Sequence, residues 1–150
     1  MSTKSGMSFR LIEDRDVKEL IQLRTMVKEN ILTMEDLIRF GITEEEVIRK
    51  IHGSYKGWLC ECDGRIAGFS MGNSEDGEMW VIAVLPEYEG RGIGRKLLHL
   101  VSEWLFFFHN ELWLTTEDNP ANRAYHLYTR AGWKKVSAED EHCKMICVRQ

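Results

Sequence analysis

The chain has 150 residues, 43% of them hydrophobic and 29% charged, with a formal net charge of −4 at pH 7. That size holds one domain with a single sizeable core, and the composition excludes a disordered chain and a disulfide-stapled miniprotein. The acidic balance gives no long-range attraction to nucleic acid, and there is neither a signal-like start nor an apolar run of about 18 residues, so the expectation is a cytoplasmic protein with no nucleic-acid or membrane partner.

Residues 1–8 read as a flexible tail ahead of a single domain over 9–150, which opens with a short strand at 9–11. From Asp16 the apolar positions Val17, Leu20, Ile21, Leu23, Val27 and Ile31 follow helical spacing and predict a first helix. Thr43 followed by Glu44, Glu45 and Glu46 makes a capping box, so a second helix runs over about 44–52 and stops near Gly53. Segments 58–62 and 65–71 flank Asp63-Gly64, a two-residue hairpin turn. Residues 78–84 form the next strand, antiparallel to its predecessor through the loop at 73–77.

Leu97, Leu98, Val101, Leu105 and Phe108 mark the buried stripe of a helix over about 92–109, and that spacing places the 106–108 phenylalanine triplet inside it. A short strand at 112–116 follows, then a helix over 119–131 that Gly132 stops. Strands at 133–136 and 143–148 close the chain around an acidic loop. The order is strand, two helices, three strands, helix, strand, helix, two strands. This is a mixed α/β sheet of about seven strands with about four helices, and it excludes a fully parallel winding.

The stretch from Glu78 to Leu98 carries the clearest chemistry. An apolar strand breaks at Pro86, crosses Gly90, Gly92 and Gly94, and continues as a helix. Glycines there let backbone N–H groups approach an anion, and the helix turns its positive end toward it, so a diphosphate ligand is expected. A dinucleotide-binding oxidoreductase is the rival reading. It needs one more residue between the second and last glycine positions and an opening βαβ unit. A P-loop is excluded because Arg95-Lys96-Leu97 offers no Ser or Thr for magnesium. Cys60, Cys62, Cys143 and Cys147 sit in apolar segments at spacings that depart from zinc templates, so reduced thiols and no metal are expected. The five histidines are scattered, and no Ser or Cys lies in a nucleophile elbow, so a covalent acyl-enzyme is not expected.

The whole pattern resembles the Gcn5-related N-acetyltransferase (GNAT) family, whose members move an acetyl group from acetyl-CoA to an amine. Its signature, Gln or Arg, two residues, Gly, one residue, Gly or Ala, falls on Glu89-Gly90-Arg91-Gly92-Ile93-Gly94, behind Val84-x-Pro86. Its later signature, a Tyr four residues before Gly and an aromatic, falls on Tyr128 with Gly132-Trp133. The resemblance covers about residues 9–148. It implies that Glu89 to Gly94, with Arg95, hold the CoA diphosphate, and that two central strands, ending near Val84 and Thr116, splay to admit the pantetheine arm against the backbone of Ile82 and Val84. An amide-bearing arm needs such unpaired backbone groups.

Glu89 stands where the family has Gln or Arg, and its carboxylate is expected to turn away and leave only its N–H at the phosphates. Ala121 stands where the family often has Asn, so Asn122 is the expected contact to the arm. Tyr128, with a reference pKa near 10, is the expected donor to the departing thiolate, whose reference lies near 8.5. Glu78 aligns with the base of histone-acetylating members, and it also reads as a solvated residue in the charged turn 75–78. The N–H near Ile82 is the expected oxyanion donor.

The resemblance implies an acetyl-CoA-dependent N-acetyltransferase working by direct attack in a ternary complex, with a small-molecule or peptide amine as acceptor. A homodimer stays open. A non-catalytic acyl-CoA-binding sensor or interaction module is the alternative. Acids at 35, 36, 44–46 and 139–141 would attract a cationic amine, or are simply solvated.

Overall fold

The computed structural model describes residues 6–150, so residues 1–5 of the expected tail lie outside it. Gly6 is tied to the first hairpin turn, its N–H donating to the Asp63 carboxylate at 3.2 Å. The strands are β1 (Ser8–Leu11), β2 (Tyr55–Cys62), β3 (Arg65–Asn73), β4 (Glu78–Val84), β5 (Glu111–Glu117), β6 (Lys134–Glu139) and β7 (His142–Val148). The helices are α1 (Val17–Arg24), α2 (Met34–Arg39), α3 (Glu44–Ile51), α4 (Ile93–Leu105) and α5 (Arg123–Arg130). One seven-stranded sheet runs β1-β2-β3-β4-β5-β7-β6. Its β4–β5 seam is parallel and its other neighbours are antiparallel.

β3 is buried from Ile66 to Asn73 because helices cover both faces of the sheet. On one face Leu59, Phe69, Met71 and Leu85 meet Val17 and Leu20 of α1, Leu37 of α2 and Val47 of α3. On the other, Ile93 and Leu97 of α4 meet Cys60, Cys62 and Ala67. Leu98, Val101 and Leu105 extend that face to Leu112, Leu114 and Met145. The buried Ser70 hydroxyl donates to the Leu97 carbonyl at 3.0 Å, which fixes α4 on the sheet. Asp63 and Gly64, with φ of 51° and 83°, give the left-handed pair that a tight hairpin requires.

Four expectations are corrected. The first helix ends at Arg24, where the Thr25 N–H and hydroxyl both bond the Gln22 carbonyl, and Ile31 lies beyond it at 69% exposure. Sequence spacing missed α2, which makes five helices instead of about four. Its capping box uses Thr33 with Asp36, and the pattern that flags such boxes expects Glu or Gln at that third position. The 106–108 triplet leaves the helix through tight turns, with Phe107 82% exposed. The last helix begins at Arg123 and not Asn119, because the Asn119 side chain accepts the Ala121 N–H in a turn of its own.

Arg10 of β1 clasps Asp16 through two bonds, 2.8 and 2.9 Å, and reaches Glu61 of β2 at 3.2 Å. Asp16 also accepts the Glu13 N–H at 2.7 Å. The Arg10 bonds hold the Asp16 carboxyl below its ordinary value, against the opposing effect of burial. A depressed carboxyl contributes stability above its unfolded pKa, and that stability is lost as pH falls through the folded value. Asp16→Asn therefore costs about 2 kcal/mol at neutral pH, read by urea unfolding, and the deficit shrinks in acid.

Candidate active site

β4 and β5 meet and part at once. They share one rung, Glu78 opposite Trp113, reinforced by the Trp113 N–H donating to the Gly77 carbonyl at 3.1 Å. Against β3 the register steps from Met71↔Val81 to Gly72↔Met79, so Trp80 is the extra residue of a bulge. Bulges bend a strand and increase its twist, which carries β4 away from its parallel neighbour. The splay expected near Val84 and Thr116 is therefore present, and the β5-facing edge of β4 beyond Glu78 is free of a strand. The gap opens into a cavity of about 990 Å³, lined by residues of β4, the end of β5, α5, the turn before α4 and the α1–α2 segment. That volume is at the top of the range of roughly 300–1,000 Å³ for ligand sites.

At one end stands the glycine turn. Gly90 and Gly92 both have φ of 82°, and Gly92 caps α4. The Lys96 N–H donates to the Gly92 carbonyl at 3.1 Å as the first bond of the helix. The N–H groups of Ile93, Gly94 and Arg95 thus have no helical partner and sit at the positive end of a 13-residue helix. Gly90, Gly92, Ile93, Gly94 and Arg95 line the cavity, as do Ile82 and Val84. Arg91 does not, for its guanidinium lies over the Tyr88 ring at 5.2 Å.

Glu89 behaves differently from its expectation. Its N–H already donates to the Pro86 carbonyl at 3.2 Å, and its carboxylate faces the cavity between Lys28 at 3.7 Å and Arg123 at 3.6 Å. The carboxylate is tolerable there because two cations flank it. Glu89→Gln removes a negative charge from beside the glycine turn and releases both cations. The expected result is CoA binding tighter by about 0.5–1 kcal/mol, roughly two- to fivefold, in a titration at low salt.

At the other end Tyr128 of α5 is 6% exposed and packs on Trp133 with ring centroids 6.2 Å apart. Burial pushes its hydroxyl well above the ordinary phenol value, partly offset by the Arg24 charge. Asn122 lines the same cavity, and its amide donates to the Glu117 carboxylate at 2.8 Å. Glu78 is half-buried at the rung and does not line the cavity. Burial first, then the Asp76 carboxylate, push its carboxyl upward, and Lys50 opposes them.

Glu117, Glu29 and Arg24 are among the cavity residues that the sequence reading missed. Glu117 closes β5. Glu29 accepts the Arg123 N–H through both carboxylate oxygens, 2.8 and 3.1 Å, and so fastens the α1–α2 segment to the start of α5. Arg24 ends α1. Only Arg24 left a signal in the sequence. It continues the spacing of Val17, Leu20 and Ile21, which puts a charge on the apolar stripe of a helix. Among the described residues no helix is long and apolar enough to cross a membrane.

Comparison with known proteins matches this architecture. The profile of the Acetyltransferase (GNAT) family matches residues 18–133. Mycothiol acetyltransferase of Tsukamurella paurometabola is 38% identical over 85 residues, covering 50% of this chain, and the match spans only 27% of that relative. The crystal structure of PaiA N-acetyltransferase from Thermoplasma acidophilum in complex with coenzyme A aligns with a TM-score of 0.80 at 18% identity, over 95% of this chain and 99% of that one. The ribosomal-protein-S18-alanine N-acetyltransferase of Escherichia coli aligns with a TM-score of 0.74 at 18% identity, over 96% and 95% of the two chains. The structural neighbours share the fold, while the profile spans most of the sequence itself. The parted β4–β5 seam, the glycine turn and the tyrosine across the cavity are thus those of a chain that belongs to the GNAT family of acetyltransferases.

Proposed function

We propose that the protein is an N-acetyltransferase that moves the acetyl group of acetyl-CoA to a primary amine by direct attack in a ternary complex. The observation that carries the reading is the single cavity that runs from the glycine turn, along the free edge of β4, to Tyr128. Its two ends suit the two ends of the donor. A diphosphate takes the free N–H groups of Ile93, Gly94 and Arg95. An amide-bearing arm takes the unpaired backbone of Ile82 and Val84, with Asn122 beside it. The thioester then reaches Tyr128.

The chemistry follows from that placement. The amine nitrogen attacks the thioester carbon, the backbone N–H near Ile82 supports the oxyanion, and the C–S bond breaks with its electron pair on sulfur. A buried phenol whose pKa lies far above a thiol's donates a hydrogen bond to that sulfur and does not surrender its proton early. The amine proton needs a base. Glu78, its carboxyl pushed upward by burial, acts from outside the cavity through water. Glu117 is the second reading, favoured by its place on the cavity wall.

The acceptor is a small-molecule or peptide amine that enters against α1, α2 and α3, whose Leu20, Leu37 and Val47 give that end apolar walls. Thiol release from acetyl-CoA with a panel of amines tests the function. Turnover on at least one amine is expected, with Glu78→Gln slowing it about 10²-fold and Glu117→Gln slowing it less. The reverse order moves the base to Glu117. Binding of CoA with no turnover on any amine identifies a sensor instead.

A further inference from the structure

Residues 74–77 join β3 to β4, and they are tied down from outside the hairpin. A connection of this kind ordinarily runs over the surface and is more mobile than the strands it joins. Here the His109 ring, from the connection between α4 and β5, donates through Nε2 to the Ser74 carbonyl at 2.6 Å. The same ring packs on Gly77, where an added methyl group would stand 3.2 Å from the ring and 3.3 Å from the Glu111 carbonyl. Trp113 of β5 donates twice, its indole N–H to the Asp76 carbonyl at 3.0 Å and its backbone N–H to the Gly77 carbonyl at 3.1 Å. On the other side the carbonyl of Ser54, just ahead of β2, accepts the Ser74 N–H at 2.9 Å.

Glu78 is the next residue. Its N–H donates to the Asp76 carboxylate at 3.0 Å, and it sits in the single rung opposite Trp113 where β4 and β5 part. A parallel seam one rung long has no neighbouring rungs to keep its register, so the bonds of the turn to His109 and Trp113 hold the vertex. None of these contacts is needed to close the hairpin, whose own bond, from the Gly77 N–H to the Asn73 carbonyl at 3.0 Å, is already made. A carbonyl only accepts, so Nε2 of His109 carries the hydrogen. That hydrogen is present in this neutral tautomer and in the imidazolium alike, and protonation of the ring does not release the turn.

We propose that His109 and Trp113 are positioning residues for acetyl transfer, which lock turn 74–77 onto the β5 side of the seam and thereby fix Glu78 at its vertex. The inference rests on the reading of Glu78 as the base. Neither residue lines the cavity, and neither gives or takes a proton. Their role is geometric. A base that works through water must keep that water in line with the amine, and a misplacement of about 1 Å costs roughly 10²-fold.

The test has two arms, both on the intact protein. The first follows the Glu78 side-chain carboxyl by NMR against pH and needs no acceptor. Burial first, then Asp76 from its own turn, push that carboxyl upward, and Lys50 from α3 opposes them, while His109 faces the turn from the α4–β5 connection. His109→Ala frees the turn and admits water, so the carboxyl is expected to move down toward the ordinary glutamate value. His109→Gln, whose amide reaches the same carbonyl, is expected to leave it at the wild-type position. Both variants remove the imidazole charge alike, so the difference between them isolates the bond. Trp113→Phe deletes only the indole donor and is expected to act in the direction of His109→Ala. The second arm is thiol release with the fastest amine of the panel. His109→Ala is expected to lower kcat about tenfold, a share of what Glu78 contributes, with KM for acetyl-CoA changed less than about twofold and with kcat recovered in His109→Gln. In a Glu78→Gln background His109→Ala is expected to cost less than about twofold, because its effect passes through the missing carboxylate.

An unmoved Glu78 carboxyl in His109→Ala and Trp113→Phe overturns the proposal. So does an equal loss in His109→Gln and His109→Ala, or a loss from His109→Ala that persists undiminished beside Glu78→Gln, either of which makes the contacts scaffolding alone. If Glu78→Gln turns over as fast as the wild type, the base assignment falls and the positioning role with it. If Glu78→Gln is slow and His109→Ala is not, the positioning role alone falls.

Discussion

Tyr128→Phe lowers kcat for acetyl transfer by about 10²-fold, the cost of deleting one preorganised donor from a low-dielectric site. The prediction follows from where burial leaves the hydroxyl. Tyr128 is 6% exposed and its pKa is pushed well above the ordinary phenol value, while a thiol has a reference near 8.5. Full proton transfer to the thiolate is therefore steeply uphill, and the hydroxyl acts as a hydrogen-bond donor to it. Phenylalanine keeps the ring that packs on Trp133, so CoA affinity and thermal stability are expected to stay within about twofold and a few degrees. The pH profile adds a sign. Because burial raises this pKa, the wild-type rate is not expected to fall through Tyr128 ionisation below about pH 10. Steady-state thiol release beside a CoA titration checks both statements, and a variant that keeps half of kcat removes Tyr128 from the chemistry.

Gly92→Val weakens CoA binding by about 10- to 100-fold, equivalent to about 1.4–2.8 kcal/mol. Gly92 caps α4 with φ of 82° and ψ of 6°. A β-branched residue in that left-handed region costs about 1–3 kcal/mol, so the turn relaxes. Relaxation re-aims the N–H groups of Ile93, Gly94 and Arg95, which the diphosphate requires at once. The loss should therefore fall on CoA and much less on pantetheine, which lacks the diphosphate. Calorimetric titration with both ligands separates a damaged cradle from general unfolding, since unfolding abolishes both. Equal weakening for the two ligands contradicts the assignment of this turn to the diphosphate.

Local chemistry was legible in the sequence, and the path of the chain across the sheet was not. The bounds of β4 and the Asp63-Gly64 turn follow from alternation and turn residues that act over a few positions. Glycine spacing alone leaves several phosphate ligands open, and it is the resemblance carried by the two signatures that assigns Gly90, Gly92, Gly94 and Tyr128 to one ligand; the four do line one cavity. The α1–α2 segment obeys no such period. Glu29 bonds Arg123 across 94 positions, and Lys28 meets Glu89, so the cavity wall they build depends on tertiary packing alone.

The same reason explains Glu89. Its carboxylate beside the proposed diphosphate site reads as a conflict until Lys28 and Arg123 are seen on either side. The bulge at Trp80 also needs the register with β3 before it can be seen, yet it is what carries β4 away from β5. Arg24 is the instructive miss. A lone arginine on the apolar stripe of α1 is visible as a pattern, yet spacing alone does not separate a cavity wall from an ordinary helix end.

The parted β4–β5 seam is proposed to hold CoA, with its diphosphate at the glycine turn and its thiol at Tyr128. The most direct measurement follows backbone amide resonances during titration with CoA and, separately, with NAD. Saturable CoA shifts are expected at Gly90, Gly92, Gly94, Ile82 and Val84, with the Tyr128 ring responding to CoA and not to a 3′,5′-ADP fragment, which lacks the arm. NAD shifts at the glycines without a CoA response, or CoA shifts confined to residues outside the cavity, would contradict this placement.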